Sequence, residues 1–280
     1  MITICALPRP FEGFFNIIQR NAIKSWCSLR PKCQIILFGN EIGTAEIARE
    51  LDVCHIPDIK TNEFGTPLLD DILAKAKKAA NFEIVAKVNA DNILLQDFLE
   101  GTKLLQKFQK TPFLMVGQRW DLDVNGPIQF DNYGWGKELM ERVKKEGKRH
   151  GLSGMDYWIF PRDLKLDTPS FTEGRFTTDG WLVYKMKTLK VPVIDATKII
   201  TLLHQNHPYP QMEKPFYETE RRRNIKLAGG LAKIMTLRDA DWILTPKGLK
   251  RPPFWRRIFV ELSFFPLWRI LLSIKRKLRH

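Results

Sequence analysis

Residues 83–92 read EIVAKVNADN, an apolar run that passes at once into a polar cluster. The aliphatic residues predict a buried β-strand over Glu83–Val88. A helical pattern follows over Leu95–Lys110, so the cluster at 89–92 stands at the carboxyl end of a strand that leads into a helix. Open α/β sheets bind their ligands at this end of the strands. We therefore predict a ligand site at residues 89–92.

The same alternation of short apolar runs and helical periodicity extends from Met1 to about Gln118. It is typical of strand–helix units around a mainly parallel sheet, so the predicted fold class is α/β. The predicted strands are Ile2–Leu7, Gln34–Phe38, Val53–Ile56, Glu83–Val88 and Phe113–Val116. The predicted helices are Phe14–Trp26, Thr44–Leu51, Pro67–Ala80 and Leu95–Lys110. For the third helix we expect Thr66 as the N-cap and Pro67 at the first helical position.

The pattern is less regular from Trp120 to about Gly151, where we expect long loops and one polar helix. The remaining predicted elements are a strand over Asp156–Phe160, a helix over Gly180–Lys187, and short strands over Pro192–Asp195 and Ile199–Leu203. The last strand ends at the polar run His204-Gln205-Asn206-His207. A second cluster of polar side chains therefore follows a strand.

Hydrophobic residues make up 44% of the 280 residues and charged residues 27%. These fractions are ordinary for a globular protein and argue against a disordered, collagen-like or polytopic membrane chain. The four cysteines contain no C-x-x-C pair, so we expect reduced, buried thiols in a cytosolic protein rather than a zinc ribbon or a disulfide framework. The apolar start at Ile2–Leu7 lacks a basic segment, which argues against a secretory signal.

The formal net charge is +14, and the segment Lys247–His280 holds ten Lys or Arg against one Glu. We therefore divide the chain into a globular domain, 1–246, and a basic, aromatic, amphipathic tail, 247–280. Glu261 and Pro266 interrupt the apolar residues of the tail, so we expect it to lie on a membrane surface rather than to cross the bilayer. This places the protein in the cytoplasm, peripheral to the inner face of the membrane.

The alternative for the tail is a C-terminal helix that packs on the core and leaves its basic end in solvent. Nucleic-acid binding is the least favoured explanation of the charge. Most of the net positive charge lies in the tail, +9 of +14, and no recognition motif accompanies it.

The segment Asn89-Ala90-Asp91 resembles the acidic DxD motif of GT-A fold glycosyltransferases. Further segments resemble family-2-like nucleotide-diphospho-sugar transferases; they are Pro8-Arg9-Pro10, Gln34–Gly39, Asn62–Pro67, Gly117–Asp121, Gly154–Tyr157, Asp179-Gly180-Trp181 and His204–His207. The resemblance covers about Ile2–Tyr209. It implies a GT-A fold, with a mixed, mostly parallel sheet flanked by helices, in residues 1–246. It also implies transfer of a sugar from a nucleotide diphosphate sugar to a glycan or a lipid-linked acceptor.

The resemblance further implies a divalent cation, Mn²⁺ or Mg²⁺, which neutralises the leaving diphosphate. It assigns metal binding to Asp91, and contact with the donor ribose or the metal to Asn89, where the family carries an acid. A late histidine completes the metal shell in many GT-A enzymes, so His204 and His207 are both candidate ligands. We expect only one of them to point inward and favour His204, because the residue before Pro208 favours an extended loop.

Asp179 matches the position at which inverting GT-A enzymes carry the general base, although an Asp at a helix start also stabilises the helix by itself. Asp156 is the alternative base. Asp121 is a candidate for the sugar site, and Trp120 or Trp181 could stack on the sugar ring or belong to the core.

Loops after the first and third strands are expected to meet the base and ribose of the nucleotide. The nucleotide-binding candidates in these loops are Pro8, Arg9, Asn62, Gly65 and Thr66. Arg119 is a candidate contact for the diphosphate through its charged fork, with a surface ion pair as the alternative. The chain has no Gly-x-Gly-x-x-Gly, Walker or His-Glu-x-x-His motif, which removes the usual support for dinucleotide, P-loop and zincin enzymes.

Two other functions stay open at this point. A nucleotidyltransferase shares this kind of sheet, but it usually has a Gly-rich signature with a basic residue after the first strand, which Pro8–Phe11 does not supply. A non-catalytic relative, in which Asn89 has abolished metal binding, would be a membrane-associated protein that binds sugar nucleotides.

Overall fold

The computed structural model describes residues 1–108 and 112–254, in which strands and helices alternate. The strands are β1 Thr3–Ala6, β2 Gln34–Phe38, β3 Cys54–Ile56, β4 Ile84–Val88, β5 Asn92–Leu94, β6 Leu114–Val116, β7 Arg119–Leu122, β8 Lys148–Arg149, β9 Tyr157–Pro161, β10 Val193–Asp195, β11 Leu202–Gln205, β12 Trp242–Thr245 and β13 Gly248–Lys250. The helices are α1 Gly13–Cys27, α2 Thr44–Glu50, α3 Leu69–Ala79, α4 Asp97–Phe108, α5 Trp135–Glu146, α6 Thr178–Thr188 and α7 Tyr217–Leu227.

Within these ranges the larger sheet has nine strands in the order β13-β12-β10-β6-β9-β4-β1-β2-β3. Neighbouring strands from β4 to β3 are parallel, as are β6, β10 and β12. Strand β9 runs antiparallel between β4 and β6, and β13 runs antiparallel at the edge. The sheet is therefore mixed and mostly parallel, which confirms the predicted fold class. The carboxyl ends of β1 and β4 consequently lie side by side.

A second sheet of the described residues contains four strands in the order β5-β11-β7-β8. Strand β5 begins directly after Asp91 and pairs antiparallel with β11, so that Asn92 lies opposite His204. On its other side β11 runs parallel to β7, and His204 lies level with Asp121. This pairing brings the late polar run of the sequence to the motif at the end of β4.

Apolar cores cover both faces of the larger sheet. On one face the buried side chains of Trp26 and Phe98 pack from α1 and α4, and on the other Leu73 packs from α3. Trp181 of α6 belongs to this second core, where its ring lies 5.0 Å from that of Phe171 in an edge-on contact. Trp181 is therefore a core residue and not a platform for a sugar ring.

Helix α3 begins at Leu69 rather than at Pro67, and Thr66 is not its N-cap. The chain stays extended up to Leu68 because it forms bridges with neighbouring segments, pairing Pro67 with Thr61 and Leu68 with Thr172. The backbone therefore turns into the helix two residues later than the local sequence predicts.

The four cysteines are free thiols, as expected. Cys5 and Cys33 are buried, but Cys54 is exposed, so the expectation that all are buried is wrong. Cys54 lies on β3, which forms an edge of the larger sheet, so that one side of the strand has no neighbouring strand among the described residues. None of the helices in the described ranges is long and apolar enough to cross a bilayer. The predicted tail lies, from residue 255 onward, outside the described residues.

Candidate active site

A cavity of about 560 Å³ opens at the carboxyl ends of β1 and β4. Its walls come from the loops after these strands, from residues 64–67 and 173–175, and from the segment that follows β11. The predicted site residues that line it are Pro8, Arg9, Gly65, Thr66, Asn89, Asp91, Arg119, His204 and His207. The predicted site residues outside its lining are Asn62, Trp120, Asp121, Asp156 and Asp179.

Asp91, His204 and His207 form a triad at this cavity, and their candidate ligand atoms all lie within 4.8 Å of one another. Nε2 of His207 is 2.8 Å from Oδ2 of Asp91, and Nδ1 of His204 is 3.5 Å from Oδ1. The histidine side chains are only 3% and 1% exposed, respectively. The expectation that only one histidine points inward is therefore wrong, because both rings face the same carboxylate.

His207 turns inward because aromatic rings hold it from two sides. The ring of Phe15 lies 5.2 Å from its imidazole, and the ring of Tyr209 lies 4.7 Å away. His204 is placed by its strand, and its Nε2 lies 3.3 Å from the hydroxyl of Tyr209. The loop position before Pro208 thus directs His207 to Asp91 instead of to solvent.

A tight turn holds Asp91 at the end of β4. The amide of Asn92 donates to the carbonyl of Asn89 at 3.1 Å, and Nε2 of Gln205 donates to the carbonyl of Asp91 at 2.8 Å. Burial by itself would raise the pKa of Asp91, but the two neighbouring histidines outweigh burial and hold this pKa far below its usual range. The carboxylate is therefore ionised and ready to bind a cation.

The triad fits a divalent cation. Oδ1 of Asp91 is buried and has no hydrogen-bond partner among the described residues, which leaves an acceptor lone pair available in the cluster. One carboxylate and two imidazoles are donors that Mn²⁺ accepts together with oxygen ligands.

Arg119 connects the cavity to a network of charges behind the triad. Its guanidinium donates to Oδ2 of Asp156 at 2.6 Å and to Oδ1 of Asp121 at 2.8 Å. Burial would lower the pKa of Arg119, but the two carboxylates raise it, so the guanidinium stays charged. His150 contacts the other oxygen of Asp121 at 2.7 Å, and Oδ2 of Asp156 lies 3.6 Å from Nδ1 of His204.

These contacts explain why several of the predicted site residues lie outside the lining of the cavity. Asp121 and Asp156 are engaged by Arg119 and do not line the cavity. Trp120 is covered by the guanidinium of Arg149, 4.5 Å above its ring. Asn62 does not line the cavity either. Its side-chain oxygen accepts hydrogen bonds from the backbone N–H groups of residues 64 and 66, and these bonds stabilise its own loop. These four side chains are therefore engaged in ion pairs, a cation–π contact and loop hydrogen bonds. Most of these contacts join distant parts of the chain, so the local sequence does not show them.

Asp179 lies in the first turn of α6, behind the wall of the cavity. Burial raises the pKa of Asp179 to about 7, Lys87 opposes the rise, and Asp156 and Glu173 add to it. Trp158 donates a hydrogen bond to the carboxylate. A carboxyl group with a pKa near neutrality can exchange protons at physiological pH, which is the property required of a general base.

Several cavity residues were missed by the sequence analysis; they include Lys87, Glu173, Arg175, Tyr209, Gln211 and Lys214. Lys87 carried a usable signal, because a lysine within the apolar run of β4 must find a partner when the strand is buried. The segment 167–177 gave no such signal. It has no regular secondary structure in the described residues, and its position depends on contacts with distant segments.

Arg9 is held in the cavity from both ends. Its backbone N–H donates to Oε1 of Gln19 at 2.6 Å, and its guanidinium donates to Oε1 of Gln211 at 2.6 Å. Burial lowers the pKa of Arg9, which the nearby Asp91 opposes. The loop after β1 is thereby joined to the segment after β11, and the two together enclose the triad.

No protein-family model matches the chain, and no curated protein sequence matches it. Among similar solved structures is S. aureus TarS 1-349 in complex with UDP-GlcNAc, which is 13% identical with a TM-score of 0.52. The match covers 81% of this chain but only 65% of that chain.

Mannosyltransferase PcManGT from Pyrobaculum calidifontis, in complex with GDP-Man and Mn²⁺, matches over 98% of this chain and 73% of its own, with 16% identity and a TM-score of 0.49. Glucosyl-3-phosphoglycerate synthase from Mycobacterium tuberculosis, in complex with Mn²⁺, UDP-Glc and phosphoglyceric acid, matches over 82% and 80%, with 13% identity and a TM-score of 0.46. The strand order, the mixed sheet and the likeness to TarS together show that this chain has the GT-A fold.

Proposed function

We propose that the chain is a glycosyltransferase that transfers a sugar from a nucleotide diphosphate donor with the help of Mn²⁺ or Mg²⁺. The observation that carries the proposal is the triad of Asp91, His204 and His207 in a large cavity at the carboxyl end of β4. The fold shared with TarS, whose structure contains UDP-GlcNAc, supports a nucleotide sugar as the donor.

In this proposal the triad holds the cation, which would neutralise charge on the diphosphate as it leaves. Arg9 and Lys214 line the same cavity and form no ion pair with the described residues, so both suit contact with phosphate oxygens. Asn89 faces the cavity two residues before Asp91, where its amide can accept from a ribose hydroxyl. The cavity therefore offers the donors and positive charges that a nucleotide diphosphate requires.

The transfer breaks the bond between the sugar anomeric carbon and the diphosphate oxygen, and it forms a bond from that carbon to an acceptor hydroxyl oxygen. The diphosphate leaves with the electron pair, and the hydroxyl proton passes to a carboxylate of the protein. Asp179 is our proposed base because the pKa of its carboxyl group lies near 7. It lies behind the wall of the cavity, so this assignment requires that the wall opens to the acceptor hydroxyl. The alternative, Asp156, is already paired with Arg119 at 2.6 Å and is less suited to accept a proton.

The acceptor we propose is a glycan or a lipid-linked sugar, and the place of action is the inner face of a membrane. The basic and aromatic residues of 247–280 support this part of the proposal. It is tested with vesicles containing anionic lipid, by comparing the full chain with a chain truncated after Lys250. Equal vesicle binding by the two chains would contradict it.

The donor proposal is tested by thermal unfolding with UDP, UDP-GlcNAc, GDP and GDP-mannose, with and without Mn²⁺. A ligand at about 100 times its dissociation constant stabilises a protein by about 2.7 kcal/mol, which such an assay resolves. We expect stabilisation by at least one nucleotide sugar that requires Mn²⁺ and is lost in Asp91→Ala. Asp58→Asn, which changes an exposed carboxylate, is the control and should respond as the wild type does. Binding that ignores both Mn²⁺ and Asp91 would instead indicate a non-catalytic sugar-nucleotide binding protein.

A further inference from the structure

A buried ion pair lies in the wall of the central cavity and is not part of the triad. The ammonium of Lys87, on β4, contacts the carboxylate of Glu173, from the loop before α6. Their side chains are only 7% and 13% exposed, and both residues line the cavity. An ion pair at the edge of a ligand cavity keeps both charges in place without exposing them fully to water.

The pair is held firmly by the fold. Lys87 is fixed within a central strand, its Nζ lies 4.9 Å from the ring centre of Trp158, and it lies 3.4 Å from Oδ1 of Asn89. The backbone N–H of Glu173 donates to the carbonyl of Pro67 at 2.9 Å, next to the bridge that joins the two loops. Burial alone would lower the pKa of Lys87, but Glu173 and Asp179 raise it, so the ammonium is charged.

Glu173 has one carboxylate oxygen that the ion pair does not use. Oε2 is buried and has no hydrogen-bond partner among the described residues, although Oε1 contacts Lys87. Buried polar atoms in native proteins are nearly always hydrogen-bonded, so an unpaired acceptor beside a ligand cavity indicates a partner that arrives with the ligand. A carboxylate accepts hydrogen bonds, and the neighbouring ammonium donates them.

We propose that Lys87 and Glu173 together bind neighbouring hydroxyls of a sugar ring of the donor. Oε2 of Glu173 accepts from one hydroxyl, and Nζ of Lys87 donates to the oxygen of the next. This inference rests on the proposed function, and it names the residues that recognise the hydroxyls of the sugar. The ring is the transferred sugar or the ribose of the nucleotide. The position of Lys87 on β4, four residues before Asp91, favours the transferred sugar, because that sugar is joined to the diphosphate that the triad holds.

The pair is also suited to discriminate between sugars. A site built around hydrogen bonds to hydroxyls strongly rejects an analogue that lacks one, because its buried polar groups are then left unpaired. The Lys87–Glu173 pair is therefore a specificity determinant, whereas the triad holds the part that all nucleotide diphosphate donors share.

The test compares the full chain with the double variant Lys87→Met/Glu173→Leu, which removes both charges and leaves no buried charge unpaired. Glu173→Gln is the second variant, since it keeps the shape of the side chain. Calorimetric titrations in Mn²⁺ use UDP, 2′-deoxy-UDP, UDP-GlcNAc, GDP and GDP-mannose. Asp241→Asn is the matched control, because it breaks a Lys–carboxylate pair, with Lys187, that lies outside the cavity.

For the nucleotide sugar that binds the wild type, we expect the double variant to lose at least tenfold in affinity and Glu173→Gln to lose less. A loss confined to the nucleotide sugar identifies the transferred sugar as the ring. An equal loss for the nucleoside diphosphate, absent with its 2′-deoxy form, identifies the ribose and still supports hydroxyl recognition. The Asp241→Asn control should retain the wild-type affinities.

Unchanged affinities in both folded variants would overturn the inference and leave the proposed function standing. If the wild type binds none of these ligands in any metal condition, the proposed function and the inference fail together. Unfolding temperatures of the variants, measured in parallel, show whether each one is folded before its affinities are compared.

Discussion

Asp179→Asn should stabilise the protein at alkaline pH and leave its stability nearly unchanged at acid pH. Asp179 is half-buried in the first turn of α6, and the desolvation of its carboxyl group raises the pKa of that group from 3.8 to about 7. Asparagine has nearly the same shape, can still accept the hydrogen bond from Trp158, and does not ionise. The substitution therefore removes the ionisable group at position 179 and leaves the packing and the hydrogen bond in place.

The sign follows from proton binding in the two states. Between pH 3.8 and about 7 the folded protein keeps the proton of Asp179 while the unfolded chain has released it. The free energy of unfolding must then fall as the pH rises through this interval. A tenfold change in proton affinity corresponds to about 1.4 kcal/mol, so the whole interval corresponds to at most about 4 kcal/mol. The variant avoids this loss.

Urea unfolding of the wild type and of Asp179→Asn, at intervals from pH 4 to pH 8.5, measures the effect. The difference in free energy of unfolding should be close to zero at pH 4 and approach about 4 kcal/mol above pH 8. Carboxylates distant from Asp179 titrate equally in both proteins and cancel in the difference, which leaves Asp179 and its coupling to Asp156 and Glu173. Asp58→Asn, at an exposed position, should give a difference that does not change with pH. Parallel curves for wild type and Asp179→Asn would refute the raised pKa and, with it, the case for Asp179 as the base.

Three further substitutions test other parts of the structure. His207→Ala removes one of three candidate ligands and should weaken Mn²⁺ binding, measured by calorimetry, by about tenfold or more; unaltered affinity would exclude this histidine from the site. Asn89→Asp adds a carboxylate beside Asp91 and should tighten Mn²⁺ binding in the same assay, whereas weaker binding would contradict the assigned cation position. Gly180→Ala would place a Cβ 2.5 Å from a backbone oxygen and should lower the free energy of unfolding by roughly 1–3 kcal/mol, while Gly126→Ala, in open space, should not.

The ligand position at the end of β4 was predictable because it depends on local chemistry. Aliphatic residues at 84–88 make a strand that must be buried, and polar residues directly after it must then stand at the sheet edge. The expectation of a polar cluster after a strand over Ile199–Leu203 followed the same logic, although β11 itself runs from Leu202 to Gln205 and includes His204. That His207 faces Asp91 together with His204 was not predictable, because the inward position of its ring depends on Phe15, which packs against it from α1.

The predicted sugar-site residue Asp121 and the alternative base Asp156 show where local reasoning ends. Asp121 and Asp156 have the chemistry of site residues, but Arg119 draws both into ion pairs behind the cavity. Conversely, Glu173 lies in a segment without periodicity. Contacts with distant residues bring it to the cavity wall, namely with Lys87, 86 residues earlier, and with the carbonyl of Pro67.

The sequence by itself determined the α/β class, the central strand and the place of Asn89 and Asp91 after it, because periodicity and polarity act over neighbouring residues. The tertiary structure decided which distant side chains complete the site. The pairing of β11 with β5 places His204 opposite Asn92. The bridge between Leu68 and Thr172 places Glu173, the next residue, in the wall of the cavity. Such contacts depend on strand register and on the packing of segments far apart in the chain, and no local pattern encodes either.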